Sequence, residues 1–291
     1  MIFLILSVLA SSLIFIIFKL FDTYRINTLQ AIIFNYITAS ISGMIAYPKK
    51  IQISTIIQED WFYGTIILGI IFITVFNLMA ITTQKNGLSV AAVAGKMSVV
   101  IPVLFGVFYY RESTAFLKVF GIILALIAVY MTAMKNPDGI SVNKKNILFP
   151  VLVFLGSGII DTSIKYLEST YVASSDVAIF SATIFAIAAS IGIFILLYQR
   201  IKGTLQLQFK NIIAGIALGV VNYFSIYFII NALRNENLDS STTFTINNVA
   251  ILLVSTLAGI LFFKEKLLLR NWIGILLSII SIILIALTIP N

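Results

Sequence analysis

The chain has 291 residues, 60% of them hydrophobic and 10% charged, whereas soluble domains carry about 25% charged and about 45–50% apolar residues. With a mean hydropathy of +1.08, most of its apolar surface must face lipid rather than a soluble core. Cysteine and histidine are both absent and the net charge is +8. This excludes disulfides, thiol catalysis, Cys/His metal centres and histidine proton relays, and leaves loop cations facing lipid headgroups rather than nucleic acid.

Apolar runs long enough to cross a bilayer occur at 2–20, 27–47, 62–84, 88–109, 114–134, 147–168, 174–198, 210–233, 238–262 and 267–289. A span needs about 20 such residues, about twice the length of a barrel strand. Lipid offers the backbone no hydrogen-bond partners, so these runs are expected to be helices. The fold class that follows is an all-α integral membrane protein with ten transmembrane helices. The first run, "MIFLILSVLASSLIFIIF", has the small residues of a signal peptide at Ala10, Ser11 and Ser12. It lacks a basic leader and stays apolar beyond them, which makes it a retained first helix. The longest connections, about 48–61, 135–146 and 199–209, leave no room for a soluble domain.

The second and third segments carry Asn35, Tyr36 and Asn77. The fourth contains "AAVAGKMSVVIPV", with Lys96 eight residues past Leu88, a depth of about 12 Å at 1.5 Å per residue. A charge there costs about 2.5–3.5 kcal/mol on insertion scales, so Lys96 either snorkels to an interface or lines a cavity. The sixth segment carries the one deep acid, Asp161, four residues before Lys165. Asp161 reads as an intrahelical ion pair with Lys165, or else as the counter-ion of Lys96 or a proton-coupling carboxylate. The eighth segment adds Asn222, Tyr223 and Tyr227, together with a Gly215/Gly219 pair that suits close helix packing. In the ninth, Ser241, Thr245, Asn248 and Ser255 share one helical face, and Asn247 adjoins it. Lys96, Asn247, Asn248, Asn77, Asn222, Asn35, Tyr227 and Asp161 are therefore the candidate substrate-binding residues; interhelical polar contacts are the alternative for the asparagines.

The two halves of the chain match in order. "YYRESTAFLKVFGIILAL" (109–126) aligns with "FFKEKLLLRNWIGILLSI" (262–279) at an offset of 153, pairing Glu112 with Glu265 and Gly121 with Gly274. "LGIIF" (68–72) aligns with "LGVVN" (218–222) at an offset of 150, and Lys19 and Phe34 align with Lys165 and Phe180 at 146. A duplication into residues 1–140 and 141–291 gives five helices per half. Because five is odd, the repeats would be inverted, an architecture of secondary transporters with a midplane site.

The stretch "IPVLFGVFYYRESTAFLKVFGIILALIAVYMTA" (101–133), with Pro102, Glu112 and Gly121, resembles the end of an EamA domain of the drug/metabolite transporter superfamily. Glu265 and Gly274 repeat the pattern, while Ser255 stands where a second proline would fall. The resemblance implies two five-helix units around a central cavity, alternating access, and substrates ranging from amino acids to other metabolites and drugs. It also implies cytoplasmic termini, whereas basic residues are more numerous after odd-numbered segments and the positive-inside rule puts the termini outside. On the residues alone, Glu112 and Glu265 each begin the helix after a tight turn and cap its free amides.

The functional expectation is a secondary active exporter of a small organic metabolite in a cell membrane, the bacterial inner membrane. Lys96 would hold an anionic group and a proton or counter-substrate gradient would drive transport. No G-x-x-x-x-G-K-[ST] loop occurs, no cofactor is implied, and no carboxylate cluster suggests an enzyme. The alternative transporter is a proton-coupled exporter of cationic drugs using Asp161. A membrane enzyme and a purely structural membrane protein rank behind both.

Overall fold

The computed structural model describes residues 2–49, 51–109, 116–133, 144–173, 175–233 and 240–287. These residues form helices α1 (Ile2–Thr23), α2 (Thr28–Ala46), α3 (Ile53–Gln58), α4 (Phe62–Lys85), α5 (Leu88–Met97), α6 (Val100–Tyr109), α7 (Phe116–Ala133), α8 (Lys144–Tyr171), α9 (Val177–Ile201), α10 (Phe209–Leu233), α11 (Ser240–Phe263) and α12 (Leu269–Ala286). Among the described residues there are no strands. Among those residues seven helices are long and apolar enough to cross a membrane, and the shorter stretches Leu88–Pro102, Val119–Met131 and Leu269–Leu284 are also apolar. Large apolar side chains such as Ile45, Phe194, Ile213 and Leu276 are exposed, as expected of a surface facing lipid. The protein is a multi-pass membrane protein.

The fourth apolar run, expected as one helix, is two. Pro102 has no N–H to give to the carbonyl of Ser98, and its ring clashes with that carbonyl in a regular helix. The chain therefore turns at Ser98 and Val99, where the Ile101 N–H reaches the Ser98 oxygen at 2.9 Å. The Ser98 hydroxyl donates to the Gly95 oxygen at 2.6 Å, closing the end of α5. The break thus lies four residues before the proline that causes it.

The chain folds into two compact units, each drawing on both halves of the sequence. The first comprises Met1–Leu20, Leu78–Ile159 and Phe224–Asn291. Here α7 packs along α12 and α5 along α11. Val93, Met97, Val100, Phe154, Leu252 and Ile275 form one apolar cluster, and Val8, Phe15, Leu88, Ala92 and Ile251 form another. The Ser281 hydroxyl donates to the Gly121 oxygen at 2.7 Å, so α12 lies directly on the α7 backbone at that glycine. Lys19 caps the end of α4 by donating to the oxygens of Thr83 and Gln84, and the Gln84 side chain returns a bond to the Phe18 oxygen. A cation here complements the negative end of the helix dipole.

The second unit comprises Phe21–Asn77 and Ile160–Tyr223, and pairs α2 with α9. Gly43 meets Ala182 near one end of this pair, and Gly192 meets Ile33 near the other. Small residues let the two backbones approach along their whole length. Trp61, Leu68, Phe180 and Ile184 form the core of this unit. The Gly215/Gly219 pair acts as expected: a Cβ on Gly215 would stand 2.5 Å from the Ala31 oxygen, and one on Gly219 would stand 2.6 Å from the Asn35 oxygen. Helix α10 therefore rests on the α2 backbone. At the α1 end, Arg25 takes the left-handed conformation (φ 51°) that lets the Ile26 N–H bond back to the Phe21 oxygen.

Candidate functional site

In the first unit, Lys96 occupies the last turn of α5 and is half-buried. Its neighbour Met97 is fully buried in the cluster that also holds Leu252 of α11. The helix break explains how a lysine can stand there. Ending α5 at Met97 presents the negative end of a half-helix dipole beside the ammonium, where a cation is favoured.

Asn247 lies one turn before Ile251 on α11 and is 5% exposed. Its Oδ1 accepts from the Ser7 hydroxyl at 3.1 Å, and the Ser7 oxygen also lies 3.4 Å from the Ser225 carbonyl. Three segments (α1, α10 and α11) thus meet at one polar point. Asn248 is half-buried beside it. Further along the same seam, Val8 and Phe15 of α1 pack with Ile251, and Ser12 falls between them on the same helical face. Among the described residues, the hydroxyls of Ser12 and Ser255 are buried and have no hydrogen-bond partner. Tyr227 is 42% exposed and sits in a ring cluster with Phe224 and Phe228, which in turn faces Phe3.

In the second unit, Asn35 and Asn222 come together: the Asn222 amide donates to Asn35 Oδ1 at 3.2 Å, one turn beyond the Gly219 contact. Asn35 is fully buried. Asn77 turns back on its own helix and donates to the Ile73 oxygen at 2.7 Å. Tyr36, fully buried, donates to the Phe72 oxygen at 2.8 Å. Asp161 is exposed on α8. At one end of the α2–α9 pair, Asp176 accepts from Lys49 at 2.9 Å, Tyr47 at 3.0 Å and Ser175 at 3.0 Å. The hydrogen bond from Lys49 holds the Asp176 carboxyl below its usual range, and the same bond raises Lys49.

Glu265 does cap a helix, but not the one it precedes. Its Oε1 accepts from the Leu88 N–H at 2.8 Å and its Oε2 from the Ser89 hydroxyl at 3.2 Å, so it caps α5. The start of α12 is held instead by Asn271, whose Oδ1 accepts from the Leu268 N–H at 2.9 Å. The reason is tertiary: α11 and α5 pack so that the turn after α11 meets the start of α5. Glu112, the matching residue of the first half, lies outside the described residues. Sequence reasoning missed Ser7 and Ser225, because a single serine in an apolar helix carries no periodic signal.

The model of the EamA-like transporter family matches residues 1–134. A protein of Haemophilus influenzae, described as uncharacterized, is 31% identical over 287 residues, spanning 96% of this chain and 95% of that protein. The chain belongs to the EamA-like transporter family. It is thus a membrane transporter of small molecules and not an enzyme. A solved structure, described only as the crystal structure of a protein, covers 97% of this chain and 94% of its own at a TM-score of 0.58 and 14% identity, a likeness of fold alone.

Proposed function

We propose that this family member is a secondary active exporter of a small organic metabolite such as an amino acid, with Lys96 as its contact to an anionic group. The observation that carries the reading is the placement of Lys96 at the end of a half-helix broken by Pro102. Discontinuous helices form ion and substrate sites in many secondary transporters, because the break exposes backbone groups and a dipole end inside the membrane. Asn247, Asn248, Ser12 and Ser255 supply neutral hydrogen-bonding groups along the same α1–α5–α11 seam. The two unpartnered hydroxyls favour a polar occupant there, since an unmet buried polar group costs about 1–3 kcal/mol.

Alternating access would operate between inverted repeats, residues 1–140 and 141–291. Three helix pairs support this: α2 with α9, α7 with α12 and α5 with α11 each join counterparts in the two halves. Adding the offset of 153 to the bounds of α7 (116 and 133) gives 269 and 286, the bounds of α12. A proton or counter-substrate gradient would drive transport across a cell membrane, with the bacterial inner membrane as the expected one.

A thermal-shift screen of purified protein against metabolites, followed by flux of each hit in proteoliposomes, tests the reading. Stabilisation by carboxylate-bearing metabolites, abolished in Lys96→Met, is the expected result. A Lys96→Met variant that folds and transports the same compound normally removes the lysine from the mechanism. If Asp161→Asn instead abolishes export of cationic dyes while Lys96→Met does not, the protein is the proton-coupled drug exporter.

A further inference from the structure

The geometry points to Glu265 as a positioning residue that fastens the half-helix α5 to the turn between α11 and α12, and so sets where Lys96 stands. This inference rests on the reading of Lys96 as the substrate contact. The first turn of a helix leaves amides without intrahelical partners, and Gly87, which precedes α5, offers no side chain to satisfy them. Glu265 supplies the acceptor from a segment 177 residues away, and its second oxygen takes the Ser89 hydroxyl. Charge-assisted bonds of this kind are about twice as strong as neutral ones.

The turn is shaped for the purpose. Lys264 adopts a left-handed conformation, φ 51°, which turns the chain back over the end of α11, and the Glu265 N–H reaches the Gly259 oxygen at 3.0 Å. A Cβ on Gly259 would stand only 2.7 Å from Glu265 Oε2 and 3.4 Å from Ser89 Oγ. Glycine at 259 is therefore what admits the carboxylate. Among the described residues of the first unit, Glu265 is the single acid. At its other end the helical ladder of α5 is interrupted at Ser98 and Val99, ahead of Pro102. Pinned at its start by Glu265 and packed along α11, α5 follows the α11–α12 turn, and the two move as one body.

The chain contains no cysteine, so a single Val99→Cys reporter in the break reads the seating of α5 without background and without any substrate. A membrane-permeant maleimide is reacted with this reporter in proteoliposomes, alone and combined with Glu265→Gln, Glu265→Ala or Gly259→Ala. Thr204→Cys, in the exposed loop after α9, serves as the control. Glu265→Ala should raise the Val99→Cys labelling rate about tenfold, as expected for loss of a charge-assisted bond from a local opening equilibrium. Glu265→Gln, which keeps one acceptor, should raise it less, and Gly259→Ala should match Glu265→Ala while retaining the charge; none should alter Thr204→Cys. An unchanged rate at Val99→Cys in Glu265→Ala overturns the proposal, as does equal acceleration at both reporters. Should Glu265→Ala not fold, Glu265→Gln and Gly259→Ala decide in the same way. The labelling involves no transport, so failure of Lys96→Met to affect flux would refute the substrate contact and leave this result standing.

Discussion

Replacing Pro102 with alanine should stabilise the protein while impairing transport, and the two effects share one cause. Proline in a helix interior is about 3 kcal/mol less favourable than alanine, and the new N–H could reach the Ser98 carbonyl for about 1 kcal/mol. The existing turn already relieves part of that penalty, because the Ser98 oxygen is met by the Ile101 N–H and the Gly95 oxygen by the Ser98 hydroxyl. A net gain of about 1–3 kcal/mol is therefore expected, limited to the difference between a broken and a continuous helix. Healing the break must reorient α5 or α6. Helix α6 meets α8 where Ile101 fills the space beside Gly158, and α5 packs against α7 and α11, so movement of either changes the turn at Ser98 and Val99 that adjoins Lys96. The assay pairs thermal unfolding in detergent with proteoliposome flux of the compound found by thermal shift. A variant with raised stability and unchanged flux would refute the link between the break and the site. Lowered stability would show that something other than the proline breaks the helix.

Gly215→Ala should destabilise, because the new Cβ would meet the Ala31 oxygen at 2.5 Å and the α2 backbone must retreat by about 0.9 Å to reach a 3.4 Å contact. Overpacking of this kind costs about 1–3 kcal/mol, read as a lower unfolding midpoint. Gly95→Ala, whose nearest neighbour would be Met79 Cε at 3.7 Å, should be neutral or stabilising by up to about 1 kcal/mol. The Asp176 carboxyl is held low by Lys49, so its contribution to stability is full above the ordinary carboxylate range and is lost as pH falls through its depressed value. Lys49 is raised by the same bond, so its contribution is full below the ordinary lysine range and disappears as pH rises through the raised value. Asp176→Asn should flatten the acid side of the pH–stability profile, and an unchanged profile would show that the pair contributes nothing there.

The sequence by itself determined the class of the protein and where most of its helices run, since hydropathy and the lack of backbone partners in lipid leave little freedom. It also singled out Gly215 and Gly219, through which α10 rests on α2, and Lys96 as the lysine set deep in an apolar run. Each of these is a local property, readable from a residue and its near neighbours. What Glu265 caps was decided only by the tertiary structure: its carboxylate serves α5 rather than α12 because packing brings the turn after α11 to the start of α5. Likewise, Ser7 finds Asn247 and Ser225, and Asn35 finds Asn222, across sequence separations that no periodic pattern encodes. A side-chain hydrogen bond joins whichever groups packing makes adjacent, and apolar helices specify that adjacency through shape, which is spread over many residues and has no motif.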